Sequence, residues 1–219
     1  MKKLTFVGLC IGLIGLLAAP LASAAILDFS TGTAGAGGTI VDLGGGDAQG
    51  FDIFIDHLFA SGTSADGPYN VDGTLACASG AGGSCAALSF DTVAGTFSIV
   101  GSVPALGVGA TTLLSGTIDS FTFTTAGGVA AFFSTGTDTK DPGLLAAVGL
   151  APDTAFGFTG FTLGFAPVAC GEGQTCYQAV STDFLNTSGV GGEAVPEPGT
   201  LLLLGGGLLG LLRGRKRNV

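Results

Sequence analysis

The stretch GTFSIVGSV, Gly95 to Val103, places Phe97, Ile99 and Val103 on one side of an extended chain and Thr96, Ser98 and Ser102 on the other. Successive side chains of a strand point to opposite faces, so this alternation describes a strand with one buried and one solvated side. The pattern recurs along the chain. Phe51, Ile53 and Ile55 alternate with Asp52 and Asp56, broken by Phe54; Phe121 and Phe123 alternate with Thr122 and Thr124; Phe161, Leu163 and Phe165 repeat it. Turn signals separate the runs: Gly44-Gly45-Gly46, Asp66-Gly67-Pro68, Asp72-Gly73, and Gly127-Gly128, which reads as a hairpin turn. About nine or ten short strands at this spacing predict an all-β fold, an antiparallel β-sandwich of jelly-roll-like or Ig-like kind. One short helix is expected over 142–148, with Asp141 as N-cap and Pro142 at the first helical position.

Outward from this middle, the two ends read as addresses. Lys2 and Lys3 precede an apolar run from Leu4 to Ala19, then Pro20 and Ala22-Ser23-Ala24. A basic start, an apolar core, a helix breaker and small residues make a secretory signal peptide, cleaved after Ala24; the run is short for a permanent anchor. At the other end Leu201 to Leu212 is all Leu and Gly, followed by Arg213, Arg215, Lys216 and Arg217 as a basic stop. Basic flanks stay cytoplasmic, so both ends face inward and the domain between them faces out. Counted from Gly199, a helix to Leu212 reaches about 21 Å against a hydrocarbon core of about 30 Å. The expected organisation is a signal peptide with its helix over 1–24, a β-sandwich over 25–185, a flexible linker over 186–194, and a tail with a hydrophobic helix over 195–219. The tail is expected to insert in the inner membrane only transiently.

With both ends removed the charge is one-sided. Between Ala25 and Val195 fifteen acidic residues face one base, Lys140, a net charge of −14. Nucleic acid is excluded as a partner, because phosphate binding needs Lys and Arg to displace counterions. Four cysteines remain, Cys77, Cys85, Cys170 and Cys176. An even count in an exported chain argues for disulfides; of the three formal pairings, close spacing favours Cys77 with Cys85 and Cys170 with Cys176. A four-thiolate zinc site competes poorly, since the gaps exceed the usual ligand spacing.

Val195, Pro196, Glu197 and Pro198, followed by Gly199-Thr200, the apolar run and the basic end, resemble the PEP-CTERM sorting signal. The resemblance covers about the last 25 residues, with its three parts in order. It implies processing by exosortase, a multi-pass membrane transpeptidase with a cysteine nucleophile that cuts near the motif. It also implies a Gram-negative bacterium that makes extracellular polysaccharide, and a destination at the cell surface or in the extracellular matrix of a biofilm. Two prolines hold Glu197 in an extended segment where an enzyme can grip it. Signal peptidase and exosortase are the expected processing partners, and exopolysaccharide or other matrix proteins the later ones.

The domain carries little chemistry of its own. A serine hydrolase needs an imidazole, and the only one is His57, at the end of a strand and without a Gly-x-Ser-x-Gly elbow. Carboxylate pairs for glycoside hydrolysis are available, yet aromatic sugar platforms are scarce: no Trp, and only Tyr69 and Tyr177. Calcium takes oxygen ligands, which Asp42, Asp47 and Asp52 around the triple glycine, and Asp66 and Asp72 around the next turn, supply; neither stretch matches an EF-hand loop. The expectation is therefore no catalytic residue, no bound cofactor and no metal ligand set. The reading is a non-enzymatic surface or matrix protein, with a carbohydrate-binding or calcium-assisted adhesin as the alternative and a secreted hydrolase using His57 third.

Overall fold

A computed structural model describes residues 24–77, 83–126, 129–171 and 173–188. The strands are β1 (Ile26–Ser30), β2 (Gly37–Gly44), β3 (Asp47–Ile55), β4 (His57–Ser61), β5 (Gly67–Asn70), β6 (Leu75–Ala76), β7 (Ser84–Asp91), β8 (Thr96–Val103), β9 (Val108–Ala126), β10 (Val129–Lys140), β11 (Phe156–Val168) and β12 (Thr175–Ser188). The stretch Thr96 to Val103 is β8, and its burial alternates as expected: Phe97, Ile99 and Val103 are buried, Thr96 exposed. The fold is nearly all β and antiparallel throughout its named pairings. The signal helix, the hydrophobic tail helix, the sorting residues Val195 to Pro198 and the basic residues from Arg213 lie outside the described residues, as do Gly127 and Gly128.

The two layers expected of a sandwich belong to one sheet that closes on itself. Pairing runs β2-β3-β7-β8-β9-β10-β11-β12, and Thr175 to Ala179 of β12 pair back onto β2. β12 is long enough to do this and more: its other end, Asp183 to Thr187, pairs with β1, while β11 lines its opposite side. From β1 the sheet branches through β4 to β5. Closure removes most of the unpaired backbone that an open sheet edge would present.

One core fills the ring, and its aromatic contacts join strands that are not neighbours. Phe97 of β8 meets Phe158 of β11 edge-on at 5.0 Å and Phe184 of β12 at 4.8 Å; Phe90 of β7 stacks on Phe132 of β10 at 4.8 Å. Each such ring contributes about 1.5–3 kcal/mol by burial. The one α-helix among the described residues, α1 (Pro142–Ala147), forms where the cap signals place it. Asp141 Oδ1 accepts from Leu144 N at 2.9 Å, and Leu144 and Leu145 turn into the core.

Two expectations change. Phe51 does not share a face with Ile53 and Ile55. The register between β3 and β7 shifts between Gly50 and Ile53, and Asp52 takes φ 54°, so a β-bulge turns Phe51 outward to 45% exposure. A bulge adds one residue and reverses the alternation beyond it. Gly38, itself at φ 75°, accommodates the bulge: a Cβ there would lie 2.6 Å from the Ile53 backbone. Second, the first three residues of the expected linker, Asn186, Thr187 and Ser188, are strand, and the rest of it, 189–194, lies outside the described residues. Their backbones pair with β1 on one side and β11 on the other, and Asn186 is fully buried.

Candidate functional site

The cysteines form the local pairs: Cys77 with Cys85, Cα atoms 5.7 Å apart, and Cys170 with Cys176, 5.9 Å apart. The first closes a small apolar cluster with Ala34, Phe54 and Leu75; the second staples the connection between β11 and β12. Closing a loop of this size restricts the unfolded chain by about 2.5 kcal/mol.

Four of the loop aspartates accept hydrogen bonds within the protein. Asp42 accepts from Gly44 N at 2.8 Å and Asp66 from Thr63 N at 2.7 Å. Asp47 accepts from the Thr92 hydroxyl at 3.1 Å. Asp91 accepts from Ala94 N at 2.9 Å and Gln49 Nε2 at 2.6 Å, and these donors hold its carboxyl below the usual range. Asp52 sits on the bulge, and Asp72 pairs its backbone with Ser102. Among the described residues no three His, Cys, Asp or Glu side chains converge as metal ligands would. His57 packs its ring over Gly32, where a Cβ would collide with it, and Nδ1 stands 3.9 Å from Asp56 Oδ1. The Asp56 oxygens are themselves held by the backbone N–H groups of Gly32 and Thr33.

Two acidic arrangements were not legible from composition. Lys140, the lone Lys or Arg between Ala25 and Val195, is inside: Nζ donates to Asp138 Oδ1 at 2.6 Å and lies 3.8 Å from the Phe156 ring centroid, with both charged side chains at 0% exposure. Burial pushes the Asp138 carboxyl up and the Lys140 amine down to about 8, and their contact opposes both shifts. The alternation Thr137, Asp138, Thr139, Lys140 puts both charged residues on one face of β10, and that face turns inward. The second is Asp28 on β1, pushed up to about 6 by burial and by the neighbouring Asp183 carboxyl. In register, Asp28 lies between Leu185 and Phe59, both partly exposed.

The outer side of β7 to β10 has a different character. Strand register aligns Asp91, Thr96, Thr117 and Thr137 in one row, and Ser89, Ser98, Ser115 and Thr139 in the next. Thr96, Ser115, Thr117, Thr137 and Thr139 are exposed. Neighbours in a row are spaced by the strand separation of about 4.8 Å. Thr117 and Thr137 hydroxyls bond each other at 3.0 Å. The rows end at a groove of about 320 Å³ between β3, β7 and β8, bordered by Gly50, Phe51, Ser89, Asp91, Thr96 and Ser98. Half-exposed Phe51, turned out by the bulge, forms its aromatic wall.

Against protein families, residues 194–217 match the PEP-CTERM protein-sorting motif. That segment contains Val195, Pro196, Glu197 and Pro198 together with Arg213, Arg215, Lys216 and Arg217. No curated protein and no solved structure matches the chain. Among the described residues no helix is long and apolar enough to cross a membrane.

Proposed function

We propose that the chain is an exported, exosortase-processed protein of the bacterial surface or extracellular matrix, acting by contact and not by catalysis. The sorting-motif match at 194–217 carries the reading, because it begins six residues beyond the end of β12 at Ser188 and so follows directly on the folded domain. The signal peptide and both disulfides support the same route through an oxidising compartment. A role without catalysis is supported by how the polar groups are used: the carboxylates of Asp42, Asp47, Asp66 and Asp91 accept hydrogen bonds within the protein, and His57 packs on Gly32. Exosortase then severs the tail near Pro196 to Pro198, releasing the domain from its transient inner-membrane hold in a Gram-negative envelope.

Intact mass of the exported protein tests the route. The expected species begins at Ala25 and lacks Arg213 to Val219, and the variant with alanine at Pro196, Glu197 and Pro198 accumulates in the membrane fraction. A mature species that keeps Arg213 to Val219 overturns the processing step. Turnover of a glycan or peptide by the purified protein, abolished in His57→Ala or in one Asp→Ala variant, overturns the non-enzymatic part.

A further inference from the structure

We infer that the outer face of β7 to β10, with the groove beside Phe51, is a binding track for an uncharged polysaccharide chain. The inference rests on the surface or matrix reading and gives that reading a contact site.

The residue types select the ligand. A hydroxyl both donates and accepts, so two aligned rows of Ser and Thr match a partner whose surface is itself made of hydroxyls. The rows extend across four strands, which suits a polymer better than a single sugar. At one end Phe51 offers an apolar ring face, and Asp91, held ionised by Ala94 N and Gln49, offers a fixed acceptor. A groove of about 320 Å³ lies at the small end of ligand clefts. An aromatic wall, a carboxylate and hydroxyls are what a sugar ring with one apolar and one polar side needs.

Charge excludes the competing polymers. The exported domain carries −14, and its single lysine is buried at 0% side-chain exposure, so the face presents no cation to an anionic glycan or to phosphate. A flat apolar partner seated on the two rows would strip the exposed Thr and Ser hydroxyls of water without replacement.

Affinity electrophoresis of the exported domain, in native gels cast with dextran, mannan, xyloglucan or alginate, tests the track. The expected result is retardation in at least one of the three neutral polymers and none in alginate. The triple variant Thr96→Val, Thr117→Val, Thr137→Val, and separately Phe51→Ala, should weaken that retardation by about tenfold, the loss of two or three hydrogen bonds or one stacking contact. Circular dichroism and intact disulfides keep a folding defect apart from a binding defect. Migration unchanged by every neutral polymer, or retardation that both variants retain, overturns the track. Such a result in a protein whose tail is still correctly removed leaves the export reading standing.

Discussion

Within four residues β10 passes between two environments: Thr137 and Thr139 are exposed, whereas the side chains of Asp138 and Lys140 are at 0% exposure. The outer pair contributes one hydroxyl to each of the two aligned rows, each able to bond water or a neighbour. The inner pair has one productive partner each, and Asp138 Oδ2 is buried without a hydrogen-bond partner. Stability in this domain is therefore concentrated on one side of the sheet, and the other side is left open to be shaped by what it touches.

The strongest way to break the contrast is to remove one member of the inner pair. Asp138→Ala leaves a buried ammonium facing only the Phe156 ring, and breaking a buried pair costs about 3–5 kcal/mol. Urea unfolding at pH 7 should show that loss. A lysine whose folded pKa is depressed binds fewer protons than the unfolded chain, so its stability rises with pH. The deficit of Asp138→Ala should accordingly narrow as pH is raised toward 8, where the wild-type amine also loses its proton. Replacing both, Asp138→Leu with Lys140→Met, should recover most of the loss. Trypsin offers a second readout, since Lys140 is the only basic residue from Ala25 to Val195. Cleavage after it in the single variant, against resistance in the wild type, reports the opened core.

A smaller effect tests where the boundary between the two environments lies. Asp28 is half-buried beside Asp183, and its carboxyl is raised from 3.8 to about 6. The folded protein then holds a proton that the unfolded chain has released. The stabilisation is complete below about pH 4 and is lost as pH rises through 6. Asp28→Asn should flatten that slope and raise stability at pH 7 by about 1–2 kcal/mol, after allowance for solvent screening. Thermal unfolding between pH 4 and 7 checks it; a variant that keeps the wild-type slope assigns the effect to other carboxylates.

How much of this could be read beforehand follows the same division. The all-β class, the cap at Asp141 and the local disulfides were legible because each depends on neighbours in sequence: alternation, a cap and its first turn, close cysteines. The sorting tail was legible because its motif is linear, its residues contiguous in the chain. Register was not. Nothing in Phe51-Asp52-Ile53 announces that Asp52 adopts φ 54° opposite Gly38, so alternation puts Phe51 on the face of Ile53 and Ile55 although it is exposed. The alignment of Ser89, Ser98, Ser115 and Thr139 likewise exists only once three hairpins have fixed their pairing. Ring closure through β12 was hidden for the same reason: it joins residues more than 130 positions apart, such as Thr175 with Asp42.

The smallest predicted effect is the one that sharpens the contrast most. Thr117 is exposed, and its hydroxyl bonds Thr137 at 3.0 Å, a contact that water can replace on either side. Thr117→Val keeps the β-branched shape suited to a strand and removes only the hydroxyl. Stability should change by no more than about 0.5 kcal/mol, the usual range for surface positions. If Thr117→Val instead costs as much as 2 kcal/mol in urea unfolding, the hydroxyl rows hold the sheet together and are not free for a partner. If it costs nothing, the rows are carried without stabilising the fold, and their regularity is then an observation about the surface that meets the outside.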